Sequence, residues 1–168
     1  MKKLLFGLII FGLTIQTYAQ VTKVEKLSEV VIAATNYKYL TNVGIENPSV
    51  PVTKLEQKVA NYDLKSSEIY NDEYDEYTVS FHIPVGTILA AYDKDGNLLR
   101  TIERFTNIVL PREVLESVAI EYPNWIFDKT VYLVNYHDNK NTTKKYKIRL
   151  KKGDETIRIK CDAYGNFL

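Results

Sequence analysis

The side chains best able to do chemistry are few in this chain, and they are scattered. There are two histidines, His82 and His137, and a single cysteine, Cys161. A histidine base or a thiol nucleophile needs a partner placed to activate or orient it. His82 is followed by Ile83-Pro84 and His137 by Asp138-Asn139, so neither opens a phosphate-binding H-x-G-H pattern. No G-x-S-x-G, H-E-x-x-H or C-x-x-C occurs either. Cys161 falls at an apolar position of an alternating run, far in sequence from both histidines. It reads as a small buried hydrophobe, and a lone cysteine makes no intramolecular disulfide. Asp93-Lys94-Asp95-Gly96-Asn97 opens like a calcium loop, but Leu98, Leu99 and Arg100 follow where further oxygen ligands belong. The reading is a turn. The acidic stretch Asp72-Glu73-Tyr74-Asp75-Glu76 reads as a solvated loop. Asn141-Thr142-Thr143 is a formal glycosylation sequon that carries little weight in a bacterial-style export context. No catalytic residue, metal ligand or cofactor is assigned, and the chain is not expected to be an enzyme.

The remaining chemistry is charge. Lys140, Lys144, Lys145, Lys147, Arg149, Lys151 and Lys152 crowd one stretch, with no acid between Asp138 and Asp154. Tyr146, Ile148 and Leu150 alternate with Lys145, Lys147, Arg149 and Lys151, the period of a strand with one apolar side. Ile157, Ile159 and Cys161 alternate in the same way with Thr156, Arg158 and Lys160. On neighbouring antiparallel strands Lys145, Lys147, Arg149, Lys151, Arg158 and Lys160 form one basic patch. Such a patch suits an anionic partner, either an acidic protein surface or an acidic glycan of the envelope. Tyr132 and Tyr136 are candidate aromatic anchors beside it, with a place in the core as the other reading for either. The competing reading is a sheet edge protected from aggregation by its lysines.

These strands belong to an internal repeat. Tyr77 to Leu99 aligns without a gap onto Tyr146 to Leu168 at an offset of 69. Tyr77 meets Tyr146, Ile88 meets Ile157, Asp93 meets Asp162, and Gly96-Asn97 meets Gly165-Asn166. In the first copy the outward positions are Thr78, Ser80, His82, Thr87 and Leu89, nearly neutral where the second is basic. Each copy is preceded by a segment of near-helical apolar spacing. One starts at about Thr53 with Val52, Leu55 and Val59; the other starts at Pro111 with Val114, Leu115 and Val118 and ends before Pro123. Trp125 to Tyr136 reads as a long strand broken near Asp128, and Asp138 to Thr143 as a polar loop. The expected fold class is α+β: tandem repeats of a helix and an antiparallel meander, over residues 51–110 and 111–168. The helices cover one sheet face and the other stays open.

The N-terminal segment reads as an export signal over residues 1–19. Lys2 and Lys3 precede the apolar run Leu4 to Ile15, and Thr17-Tyr18-Ala19 is a small-x-small cleavage site before Gln20. Removing both lysines leaves 20 basic against 21 acidic residues, a balance that does not point to nucleic acid. The mature chain is expected in the periplasm or outside the cell, with no membrane span. Residues 20–50 read as a linker with a possible edge strand over Leu27 to Ala34.

Taken together, several motifs resemble the secreted PepSY-like proteins, which are similar in shape to β-lactamase-inhibitor protein. They are Ala91-Tyr92-Asp93-x-x-Gly96-Asn97-Leu98-Leu99, Leu110-Pro111, Tyr122-Pro123-x-Trp125, Tyr146-Lys147-Ile148 and the closing Asp162-x-x-Gly165-Asn166-Phe167-Leu168. The resemblance spans about Pro51 to Leu168. It implies a helix-plus-sheet fold, often in tandem, and binding or inhibition more than catalysis, and it transfers no catalytic residue. Leu27 to Ala34 also resembles a segment near the mature start of TonB-dependent receptors. The expected function is an exported binding or inhibitory module. A structural or accessory envelope protein docking through that strand is the alternative, and an enzyme is the third reading.

Overall fold

The computed structural model describes residues 36–45 and 48–168, all within one unit, Ala33–Leu168. The export signal, its cleavage point and the strand expected over Leu27 to Ala34 lie outside the described residues. Three helices and six strands follow in the order α1 (Tyr37–Val43), α2 (Val50–Ala60), β1 (Glu76–Ile83), β2 (Gly86–Asp93), β3 (Leu98–Thr106), α3 (Arg112–Glu121), β4 (Ile126–His137), β5 (Lys140–Lys152) and β6 (Glu155–Cys161). All six strands form one antiparallel sheet in sequence order, β1 to β6. The fold class is therefore α+β, with an open antiparallel sheet. Among the described residues no helix is long and apolar enough to cross a membrane.

Alternation along the strands sorts the sheet into two sets of side chains. The inward set runs across the register: Phe81 opposite Ile88, Ile88 opposite Glu103, Phe105 opposite Tyr132, Tyr132 opposite Tyr146, and Tyr146 opposite Cys161. These residues are buried, and they share one core with Tyr39 and Val43 of α1, Val52, Leu55 and Val59 of α2, and Val114 and Val118 of α3. Aromatic contacts knit this core: Tyr132 stacks on Tyr146 at 4.6 Å between ring centroids, and Tyr39 meets Tyr136 edge-on at 5.2 Å. The outward set is mostly polar and exposed; Ala91 and Val131 are its buried members.

Two turns carry the glycines that the sequence singles out. Asp93 accepts hydrogen bonds from the Asp95 and Asn97 amides and from Asn97 Nδ2, all at 2.9 Å. Asp162 does the same for the Tyr164 and Asn166 amides and Asn166 Nδ2, at 2.8–3.0 Å. Gly96 and Gly165 sit at φ 86° and 85°, where a Cβ is strained. The aspartate spends its oxygens on closing the turn, which explains why an Asp-x-x-Gly-Asn segment serves as a hairpin here.

Three elements differ from the reading of the sequence. Residues 37–43, inside the expected linker, form helix α1; its only buried residues are Tyr39 and Val43, too few for a periodic signal. Asp138 to Thr143 is not a polar loop. Only Asp138-Asn139 turns, and Lys140 to Thr143 continue as strand, with Thr143 opposite Asn135. Polar residues can fill this end of the strand because part of it is exposed to solvent. The helix expected from about Thr53 begins at Val50, with Pro51 in its first turn. The break near Asp128 is a β-bulge between Phe127 and Lys129.

Candidate functional site

The register brings the predicted basic residues together. Lys147 lies opposite Lys160 and Arg149 opposite Arg158, while on the other side β4 sets Leu133 beside Lys145, Val131 beside Lys147 and Lys129 beside Arg149. Lys145, Lys147, Arg149, Lys151, Arg158 and Lys160 all belong to the outward set. Between them lies a shallow cleft of about 320 Å³ lined by the buried Val131 together with Lys129, Lys147, Arg149, Arg158 and Lys160. Like charges on adjacent strands repel, so these rows cost stability when empty. The bulge supplies the local counter-charge: Asp128 pairs with Arg149 and, at 3.1 Å, with Lys151. Lys151 and Arg149 together hold the Asp128 carboxyl below its ordinary range. Among the described residues Lys147, Arg158 and Lys160 have no ion-pair partner. β3 adds Arg104, which lies opposite Leu133 and was missed because its strand is not basic as a whole.

Tyr132 and Tyr136 do not flank this patch. Both belong to the inward set, 1% and 3% exposed, and they pack in the core. Alternation accounts for the correction: Val131 and Leu133 take the outward positions of that stretch of β4, so Tyr132 must point inward. Lys144, read as part of the basic run, likewise turns inward and donates to the Gly44 carbonyl at 2.6 Å.

Among the described residues, neither histidine hydrogen-bonds a carboxylate. On the outward set, His82 Nε2 lies 2.8 Å from Ser80 Oγ and Nδ1 lies 3.1 Å from Thr87 Oγ1, two hydroxyls with no carboxylate behind them. His137 Nδ1 accepts from the Asn139 amide in the turn after β4. Cys161 is fully buried, and burial first, then Asp162, pushes its thiol up to about 11. A thiol in that state is a poor nucleophile at neutral pH.

A second polar group, which the sequence reading missed, sits inside the core. Glu103 is 0% exposed; its Oε1 accepts from Tyr39 OH at 2.8 Å and Thr101 Oγ1 at 2.7 Å, while Oε2 has no partner among the described residues. Glu56 of α2 is also buried. Burial raises both carboxyls, Glu103 to about 7 against the opposing pull of Thr101, Tyr39 and Lys144, and Glu56 to about 8 with a further push from Glu103. The available signal was Glu103 at an inward position between Thr101 and Phe105, a charge where the pattern calls for an apolar residue. In comparisons with known proteins, no protein-family model, no curated protein and no solved structure matches this chain.

Proposed function

We propose that this chain is an exported, non-catalytic binding or inhibitory module that recognises an anionic partner through the outward set of β4, β5 and β6. The observation that carries the reading is the pair of cation-on-cation rows, Lys147 opposite Lys160 and Arg149 opposite Arg158, around a cleft lined in part by Val131. A sheet bearing such rows is stabilised by whatever neutralises them. Export is supported by the basic start, short apolar run and small-x-small site of the first 19 residues. We read the helices as covering the inward side and leaving the outward side to the partner, and the chain as two related units. Support for the second point comes from register: Cys161 bridges Phe167 as Tyr92 pairs with Leu98, each pair 69 residues from its counterpart. The PepSY-like resemblance fits the same reading.

Polyglutamate tests it. Binding to the mature chain is expected at low salt, weakening as salt rises, and a Lys147→Ser, Arg149→Ser, Arg158→Ser variant is expected to lose it while its circular dichroism stays native. Equal binding by the triple variant removes the face from the function.

A further inference from the structure

Strand β6 is an edge of the sheet. It has β5 on one side, and on the other, among the described residues, only its end is met: Cys161 bridges Phe167, and the Leu168 amide donates to the Lys160 carbonyl at 2.9 Å. That bond fixes the direction of the backbone. The Lys160 carbonyl points away from β5, and in an antiparallel ladder every second residue points the same way. Arg158 and Thr156 therefore also turn their amide and carbonyl outward, with no strand among the described residues to receive them. The side chains alternate too. Arg158 and Lys160 are exposed on the basic side, and Ile157 and Ile159 are half-exposed on the other. The opposite edge differs: Tyr70 stacks on Tyr77 of β1, and the Tyr77 hydroxyl donates to the Asn71 carbonyl, so the preceding segment folds back over the start of that strand.

Building on the reading of the basic face as a recognition surface, we propose that the β6 edge captures an extended segment of an acidic protein by strand addition. Acidic residues at alternate positions of that segment lie on the side of the sheet that carries Arg158 and Lys160, and apolar residues between them lie on the side of Ile157 and Ile159. Three observations select this occupant. The outward amides and carbonyls of Thr156 and Arg158, beyond the Lys160 carbonyl that the Leu168 amide already occupies, call for a peptide backbone, which a glycan lacks. The rows Lys147–Lys160 and Arg149–Arg158 end at this edge, and a carboxylate on a strand added opposite Arg158 lies roughly 5 Å from that guanidinium, with Lys160 diagonal to it, which relieves the repulsion. A second copy of this chain is disfavoured: a two-fold centred on Arg158 sets guanidinium against guanidinium, and one centred on Ile159 sets Arg158 against Lys160. The same cations that discourage self-pairing choose an acidic strand.

The test uses the mature chain and three probes followed by fluorescence anisotropy. One is a short capped peptide alternating Glu and Val; another has the same composition with all Glu before all Val; the third is polyglutamate. The alternating peptide is expected to bind at least about tenfold more tightly than the block peptide. N-methylation of its alternate amides should abolish that advantage, as should an Arg158→Ser, Lys160→Ser variant of the protein, checked for native circular dichroism. If polyglutamate binds but alternating and block peptides bind equally, strand addition is overturned and the basic face stands. If no probe binds, the basic face falls as well, and strand addition with it.

Discussion

Gly96 and Gly165 close the same kind of turn, yet their surroundings differ. A Cβ at Gly96 meets nothing within 4 Å, whereas one at Gly165 lies 2.6 Å from the Glu113 carbonyl oxygen and 2.4 Å from Ser117 Oγ. Gly96→Ala is expected to cost only the strain of a positive φ, about 1–2 kcal/mol. Gly165→Ala must also push the turn off α3, for a total of about 3 kcal/mol. Thermal melts of the two variants check this, and equal losses mean that the second turn does not press on the helix. At this scale the sequence was informative wherever local chemistry decides the outcome. Asp93 and Asp162 are legible as turn residues because each bonds to amides two and four residues on. Burial raises the carboxyl of each, but the hydrogen bonds win and hold it below its ordinary range. The pairing of Glu103 with Tyr39 was not legible, since the two lie 64 residues apart and only tertiary packing unites them.

Among the elements, β4 and β5 carry both the best and the least legible features. The interruption Phe127-Asp128-Lys129 marks the bulge because a charged residue there breaks the alternation, and the bulge frees Asp128 to reach Arg149 and Lys151. Helix α1 is the opposite case: seven residues with two buried side chains leave no period to detect, and contacts with Glu103 and Tyr136 hold it. Of the two readings of Tyr132 and Tyr136, anchor or core, the structure gives the core, because the break at Asp128 left the inward side of this strand undecided by alternation alone. The bulge also yields a functional prediction. Asp128→Asn removes the counter-charge from two cations of the patch, so polyglutamate affinity is expected to rise about threefold or more at low salt, with a steeper salt dependence. Unchanged affinity places Arg149 and Lys151 outside the binding surface.

Across the whole molecule, the two sides of the sheet store charge in opposite ways, and stability should record it. The outward side holds the lysines and arginines of the basic patch. The inward side holds Glu56 and Glu103, raised by burial to about 8 and about 7 from an ordinary value of 4.5, with Lys144 and the hydroxyls of Tyr39, Tyr132 and Tyr146 as their titratable neighbours. Between pH 4.5 and 8 the folded chain therefore keeps protons that the unfolded chain has released, and stability falls as pH rises through that window. Below it the sign reverses, because Asp93, Asp128, Asp138 and Asp162 are held low in the fold and lose that advantage once protonated. Maximum stability is expected near the lower end of the window. Each pKa unit corresponds to about 1.4 kcal/mol, so a part of the two glutamate shifts suffices to move a urea midpoint. Glu103→Gln preserves the acceptor for Tyr39 and Thr101 but has no proton to lose, and it relieves the push that Glu103 exerts on Glu56. Its urea midpoint should change less between pH 5 and pH 8 than that of the parent chain. A parent midpoint that stays level over that range, or a variant with the same slope, means that the buried pair does not titrate with folding.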